Sequence, residues 1–160
     1  MTDPLSYAVG LGASVLATGI AGALDEMDSR HRREAPHQAA LLAEIGDCRA
    51  RFPDAESLTS LAGAAPSTRQ SGKHKKVVFR FACDKKLRAA VMDFAGDSRH
   101  DNPWAAHLYQ QARARGHRHA HAVRILARAW LRVIWRCWQD HTPYDPGRHG
   151  SYQRLIAQQA

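Results

Sequence analysis

The stretch from Ala120 to Trp138 constrains this chain more than any other. Val123, Ala127, Trp130, Ile134 and Cys137 recur at intervals of three and four, the spacing of one face of an α-helix. A helix with so apolar a stripe is stable only when other elements cover it. The remainder of a 160-residue chain must therefore supply helical partners, and that length suffices for one real core. Arg124, Arg128, Arg132 and Arg136 follow one another at every fourth position, so they form a single, slowly drifting ridge. No acidic residue occurs from Pro103 to Gln139. Like charges so placed repel by roughly a few tenths of a kcal/mol per pair. Either a polyanion relieves that repulsion, or acids from elsewhere in the fold do; the reading preferred here is nucleic acid. Trp130, Trp135 and Trp138 lie on the same helix and could stack on bases, although Trp130 is assigned to the core.

Shorter patterns supply the partners. Ala39 to Ile45 reads as a helix closed by Gly46. Asp54 is a candidate N-cap for a helix near 55–62, with Leu58 and Leu61 inward and Gly63 as its stop. Val77 to Phe81 is β-prone. Ala82 to Phe94 returns to helical spacing through Cys83, Leu87, Ala90, Val91 and Phe94. Asn102-Pro103 starts a further helix that carries Trp104, Leu108 and Ala112 inward and ends at Gly116. Pro143 and Pro146 stop the long helix, and the tail after Gly150 holds one short helix. The expected class is mainly α: a compact multi-helix domain over 39–160, with a serine-bearing loop, preceded by a loosely structured leader over 1–38.

That loop, Gly63 to Lys76, breaks the helical pattern. It carries Ser67, Thr68 and Ser71 among cations. From Arg69 to Arg88 there are eight basic residues, Arg69, Lys73, Lys75, Lys76, Arg80, Lys85, Lys86 and Arg88, against the single acid Asp84. An exposed serine ringed by cations suits chemistry on a phosphodiester, because the cations attract the substrate and stabilise charge that develops during transfer. The plain alternative is a polar turn. A net charge of +8 and a pI near 9.9 favour an anionic partner, nucleic acid before a membrane surface.

Other features point away from competing classes. Pro4 to Leu24 contains no charged side chain and is long enough to span a bilayer, but Gly10, Gly12, Gly19 and Gly22 weaken it as a helix, and no membrane role is favoured. Cys48, Cys83 and Cys137 have neither zinc spacing nor an even count, so a reducing cytoplasm is expected. His117, His119 and His121 have no carboxylate nearby in sequence, and no metal ligand is assigned.

Several segments together resemble the C-terminal domain of transposases of the insertion sequence 110/116/902 family. They are Ala39 to Asp47, Phe52-Pro53, Leu61-Ala62-Gly63, Ala65-Pro66, Gln70-Ser71-Gly72-Lys73, Cys83 to Arg88 and Ala122 to Trp130. The resemblance implies that Ser71 is the nucleophile that forms a phosphoserine link with DNA. It implies a structured guide RNA, a homo-oligomer or full-length transposase as partner, and association with the nucleoid. It places magnesium in a RuvC-like half of the full protein and none in this chain. Two departures accompany it. No RuvC-like half fits before residue 39, and the family's Pro-Gly-x-Gly hairpin is replaced by Glu34-Ala35-Pro36-His37-Gln38. The expectation is therefore a truncated copy. Its function is either DNA transposition with metal supplied in trans, or non-catalytic DNA or RNA binding.

Overall fold

The computed structural model describes residues 40, 41, 43–46, 48–71, 74–78, 81–142 and 144–159, and for 67–71 and 74–78 it gives the backbone course. The leader over 1–38, with the apolar run 4–24, lies outside the described residues, as do Gly72, Lys73, Phe79 and Arg80. Among the described residues, no helix is long and apolar enough to cross a membrane.

Each helix begins and ends where its local chemistry directs. Helical residues at 40, 41 and 43–45 give way to Gly46, whose φ of +71° is the left-handed conformation that closes a helix at low cost for glycine. A short 3-10 turn, Arg49–Arg51, leads to buried Phe52. Asp54 then caps helix α1, Ala55–Leu61, by accepting from the Ser57 amide at 2.7 Å. Helix α2 runs Lys85–Asp101, and the Asp84 carboxylate accepts from the amides of Lys86 and Leu87, each at 2.9 Å. It starts three residues later than the sequence pattern suggests, because Asp84 is the capping residue. It also runs seven residues past Phe94, since Ala95 and Ser98 continue the buried stripe. Asn102 caps helix α3, Pro103–Ala114, through the Ala105 amide at 3.1 Å. Helix α4 is His119–Gln139 and helix α5 is Gly150–Gln159. Helix α4 ends at Gln139, before either proline, and His141 turns the chain with a φ of +52°.

Helices α2, α3 and α4 pack pairwise into a three-helix core, α1 lies against α4, and α5 lies against α3. Trp130 sits at the centre with no exposed surface. Its ring meets Phe94 and Trp104 edge to face, with centroids 5.3 and 5.0 Å apart. Its indole N–H donates to the Ser98 hydroxyl at 2.9 Å, and that hydroxyl donates to the Ala95 carbonyl at 3.0 Å. A buried polar pair is thus satisfied inside an apolar core.

The serine-bearing segment is more ordered than an open loop. Strand β1, Ser67–Ser71, pairs antiparallel with strand β2, His74–Val78. The register sets Ser67 against Val78, Arg69 against Lys76 and Ser71 against His74. Only Gly72 and Lys73 separate the strands in sequence, the length of the tightest hairpin connection. Strand β2 begins ahead of the β-prone run expected at Val77. Both feet of the hairpin are tied to α1. The amides of Ala64 and Ala65 donate to the Thr59 carbonyl at 2.9 and 3.1 Å, and the Asp84 amide donates to the Leu61 carbonyl at 2.8 Å.

Candidate nucleic-acid interface

The arginine ridge of α4 is real, but its repulsion is relieved from within the fold. Glu56, in the first turn of α1, lies 72 residues from Arg128 in sequence and beside it in space. Arg128 donates to Glu56 Oε2 at 2.9 Å, and Arg132 donates to Glu56 Oε1 through Nε at 3.1 Å and through Nη2. Arg136 donates to Asp140, one turn further along, at 2.6 Å. The acids supplied from elsewhere, one of the two sequence alternatives, are therefore present. The ridge still carries four guanidiniums against these two carboxylates. The hydrogen bond from Arg132 holds the Glu56 carboxyl below its ordinary value; burial opposes it, and the hydrogen bond from Arg128 and the charges of both arginines add to the lowering.

Beside the ridge, an open cleft of about 400 Å³ separates α4 from the turn 64–66. His121, Arg124, Arg128 and Arg132 line one wall, and Ala64 to Pro66 line the other. Pro66 leads directly into β1, so the cleft opens at the foot of the hairpin that carries Ser71. Burial, and then the charge of nearby Arg88, lower the pKa of the Arg124 guanidinium. The His121 imidazole is likewise lowered, by burial, by His117 and by Arg124. Two segments far apart in sequence, α2 through Arg88 and α4 through Arg124, thus bring positive charge together.

The predicted site residues fall into three groups. Arg124, Arg128, Arg132 and Arg136 share the ridge. Lys85 and Lys86 are exposed in the first turn of α2, where the helix dipole disfavours cations, and Arg88 stands half-buried with its Nη1 on the Cys83 sulfur at 3.4 Å. Arg69, Ser71, Lys75 and Lys76 belong to the hairpin strands. Lys73 and Arg80 lie outside the described residues. Base stacking on the α4 tryptophans is corrected: Trp130 and Trp138 are buried, and the half-buried Trp135 spends its N–H on the Phe52 carbonyl at 2.9 Å. Of the three histidines, His117 and His121 lie with ring centroids 4.3 Å apart and planes tilted by 45°, and His119 bonds the Tyr109 hydroxyl at 2.8 Å. Glu56 is the site residue that sequence reading missed. Its only local signal is an acid in a helix first turn, which the helix dipole explains by itself.

Residues 37–110 match the family described as Transposase IS116/IS110/IS902 family. The IS117 mini-circle protein of Streptomyces coelicolor, assigned as a transposase, is 39% identical over 110 residues. That alignment covers 69% of this chain and 27% of the relative. Residues 37–110 carry the domain of the IS116/IS110/IS902 transposase family. The 42 kDa protein of insertion element IS900 from Mycobacterium paratuberculosis is 36% identical over 111 residues, or 68% of this chain and 27% of that protein. The 43.6 kDa protein of insertion element IS110 from Streptomyces coelicolor is 34% identical over 109 residues, or 67% and 26%. The chain thus spans about a quarter of the length of the curated relatives it matches. The family match includes α1, the hairpin and α2, and stops before the ridge of α4.

Proposed function

We propose that this chain is the serine-bearing, nucleic-acid-binding part of an insertion-sequence transposase, acting on DNA with Ser71 as the nucleophile. The observation that carries this reading is the position of Ser71 at the end of β1, opposite His74, on a hairpin whose feet are fixed to α1 beside the cationic cleft. By strand register, Arg69 pairs with Lys76 and Ser71 with His74. In the proposed step the Ser71 hydroxyl oxygen attacks the phosphorus of a DNA phosphodiester. A serine O–P bond forms as the bond from phosphorus to one sugar oxygen breaks. The serine gives up its proton, and the leaving sugar oxygen takes one to become a hydroxyl. One phosphodiester replaces another, so the energy of the strand is kept for rejoining. The cations of the ridge and the hairpin hold the backbone and stabilise charge on the phosphoryl oxygens.

Among the described residues, no group of three or more His, Cys, Asp and Glu side chains could hold a metal ion. These residues do not fit a magnesium site, and the chemistry assigned to this chain is the serine and its cations. A guide RNA and further transposase subunits are the partners proposed with the DNA. The test is covalent trapping. Incubated with a nicked suicide DNA and the remainder of a family transposase, the chain should become attached to DNA through Ser71. Equal attachment by Ser71→Ala would assign the nucleophile elsewhere. The ridge by itself supports a second reading, binding without chemistry. Under that reading anisotropy shows salt-steep binding to DNA or structured RNA that Ser71→Ala leaves unchanged, and no covalent product forms with either chain.

A further inference from the structure

Glu56 is placed as a guest on the ridge. Its two carboxylate oxygens are each taken by a different guanidinium, Oε2 by Arg128 and Oε1 by Arg132. A backbone phosphodiester offers the same arrangement, with two anionic oxygens for two arginine forks. The side chains are open to exchange: Glu56 keeps 48% of its surface exposed, Arg132 52% and Arg128 31%, so nothing in the core must move. Glu56 also has somewhere else to be. The N-terminal turn of α1 favours a carboxylate without the arginines, and the Thr59 hydroxyl, which donates to the Glu56 carbonyl at 3.0 Å, lies 3.3 Å from Oε2. Two guanidiniums against one carboxylate leave the cluster net positive, so an approaching polyanion is still attracted. The seat adjoins the cleft that leads past Arg124 to the foot of the hairpin.

Building on the nucleic-acid reading above, we infer that Glu56 occupies the seat of one backbone phosphate, and that Arg128 and Arg132 pass from Glu56 to that phosphate when DNA binds. Glu56 is then a selectivity device. A single small anion gains little by displacing it, whereas a strand that brings several phosphates to the ridge gains enough from the others to do so. The seat sets a threshold that favours long polyanions over free phosphate.

Fluorescence anisotropy of the full chain with a duplex, across a salt series, tests this with helicity followed by circular dichroism. Glu56→Gln keeps the shape and removes the charge. It should bind roughly three- to tenfold more tightly than the unaltered chain, with a salt slope steeper by about one. Inorganic phosphate should compete better against Glu56→Gln than against the unaltered chain. In the double variant Glu56→Gln with Arg132→Gln, the gain should disappear. Glu56→Asp, one methylene too short to reach both arginines while still suited to a helix first turn, should also tighten binding and serves if Gln disturbs α1. Equal or weaker binding by both Glu56 variants would overturn the inference and make Glu56 a strut for the ridge. If the unaltered chain shows no salt-dependent binding, the interface reading itself fails, whatever Glu56 does.

Discussion

Trp130 meets Phe94, Trp104 and Ser98 from two other helices, whereas strands β1 and β2 pair with each other along their whole length. The helical body is held by burial of apolar surface between distant segments. The hairpin is held by a five-pair ladder and by feet bonded to carbonyls of α1. A body of the first kind is costly to alter. The hairpin carries Ser71 and a dense run of cations on strands joined by backbone pairing.

That comparison makes ordered predictions. Trp130→Ala should cost about 3–5 kcal/mol of stability in denaturant unfolding, because it opens a cavity and strands the Ser98 hydroxyl. A loss below about 1 kcal/mol would mean that the body is not built around this ring. Asp84→Ala, at the joint between hairpin and body, should cost about 1 kcal/mol by removing the cap of α2. It should also raise amide exchange in the hairpin, because fraying the start of α2 loosens the residue-84 amide from the Leu61 carbonyl, and unchanged exchange there would detach the two regions. A smaller effect comes from His149, whose ring lies 4.4 Å from Trp104 and bonds the Tyr144 hydroxyl at 3.0 Å. Burial lowers its folded-state pKa from 6.5, so the unfolded chain takes up the proton more readily. Its contribution is intact above pH 6.5 and is lost as pH falls through the lowered value. The loss should be under about 1 kcal/mol for a half-exposed ring, and His149→Asn should flatten the melting temperature between about pH 7 and about pH 5. His121 shifts in the same direction and leaves a residual slope. The least effect on global stability is expected from Lys76→Pro, which removes a donor from the ladder. Unfolding of the body should change by less than about 0.5 kcal/mol, while protection of the hairpin amides from exchange and covalent trapping both collapse. A large fall in global stability would show that the hairpin is structural after all.

Much of the body was legible in the sequence because its signals are local. The stripe Val123, Ala127, Trp130 and Ile134 is buried along α4, and Asp54 and Asn102 are the caps that their positions announce. Gly46, Gly63 and Gly116 all take positive φ at helix ends. The hairpin was half legible. Its β-prone residues were visible, but the pairing of Ser71 with His74 depends on two strands meeting, and a polar run with no apolar alternation gives no register.

The sequence alone determined that the chain is mainly helical, that four arginines share one ridge and that Ser71 stands among cations, since each follows from spacing along a single segment. Only the tertiary structure decided that Glu56 faces Arg128 and Arg132, that Trp135 and Trp138 turn away from solvent, and that Arg88 approaches Arg124. Those relations join residues tens of positions apart. They exist only because α1 and α2 bury their apolar faces on α4, and the charges carried on the same helices are brought together by packing that they do not themselves drive.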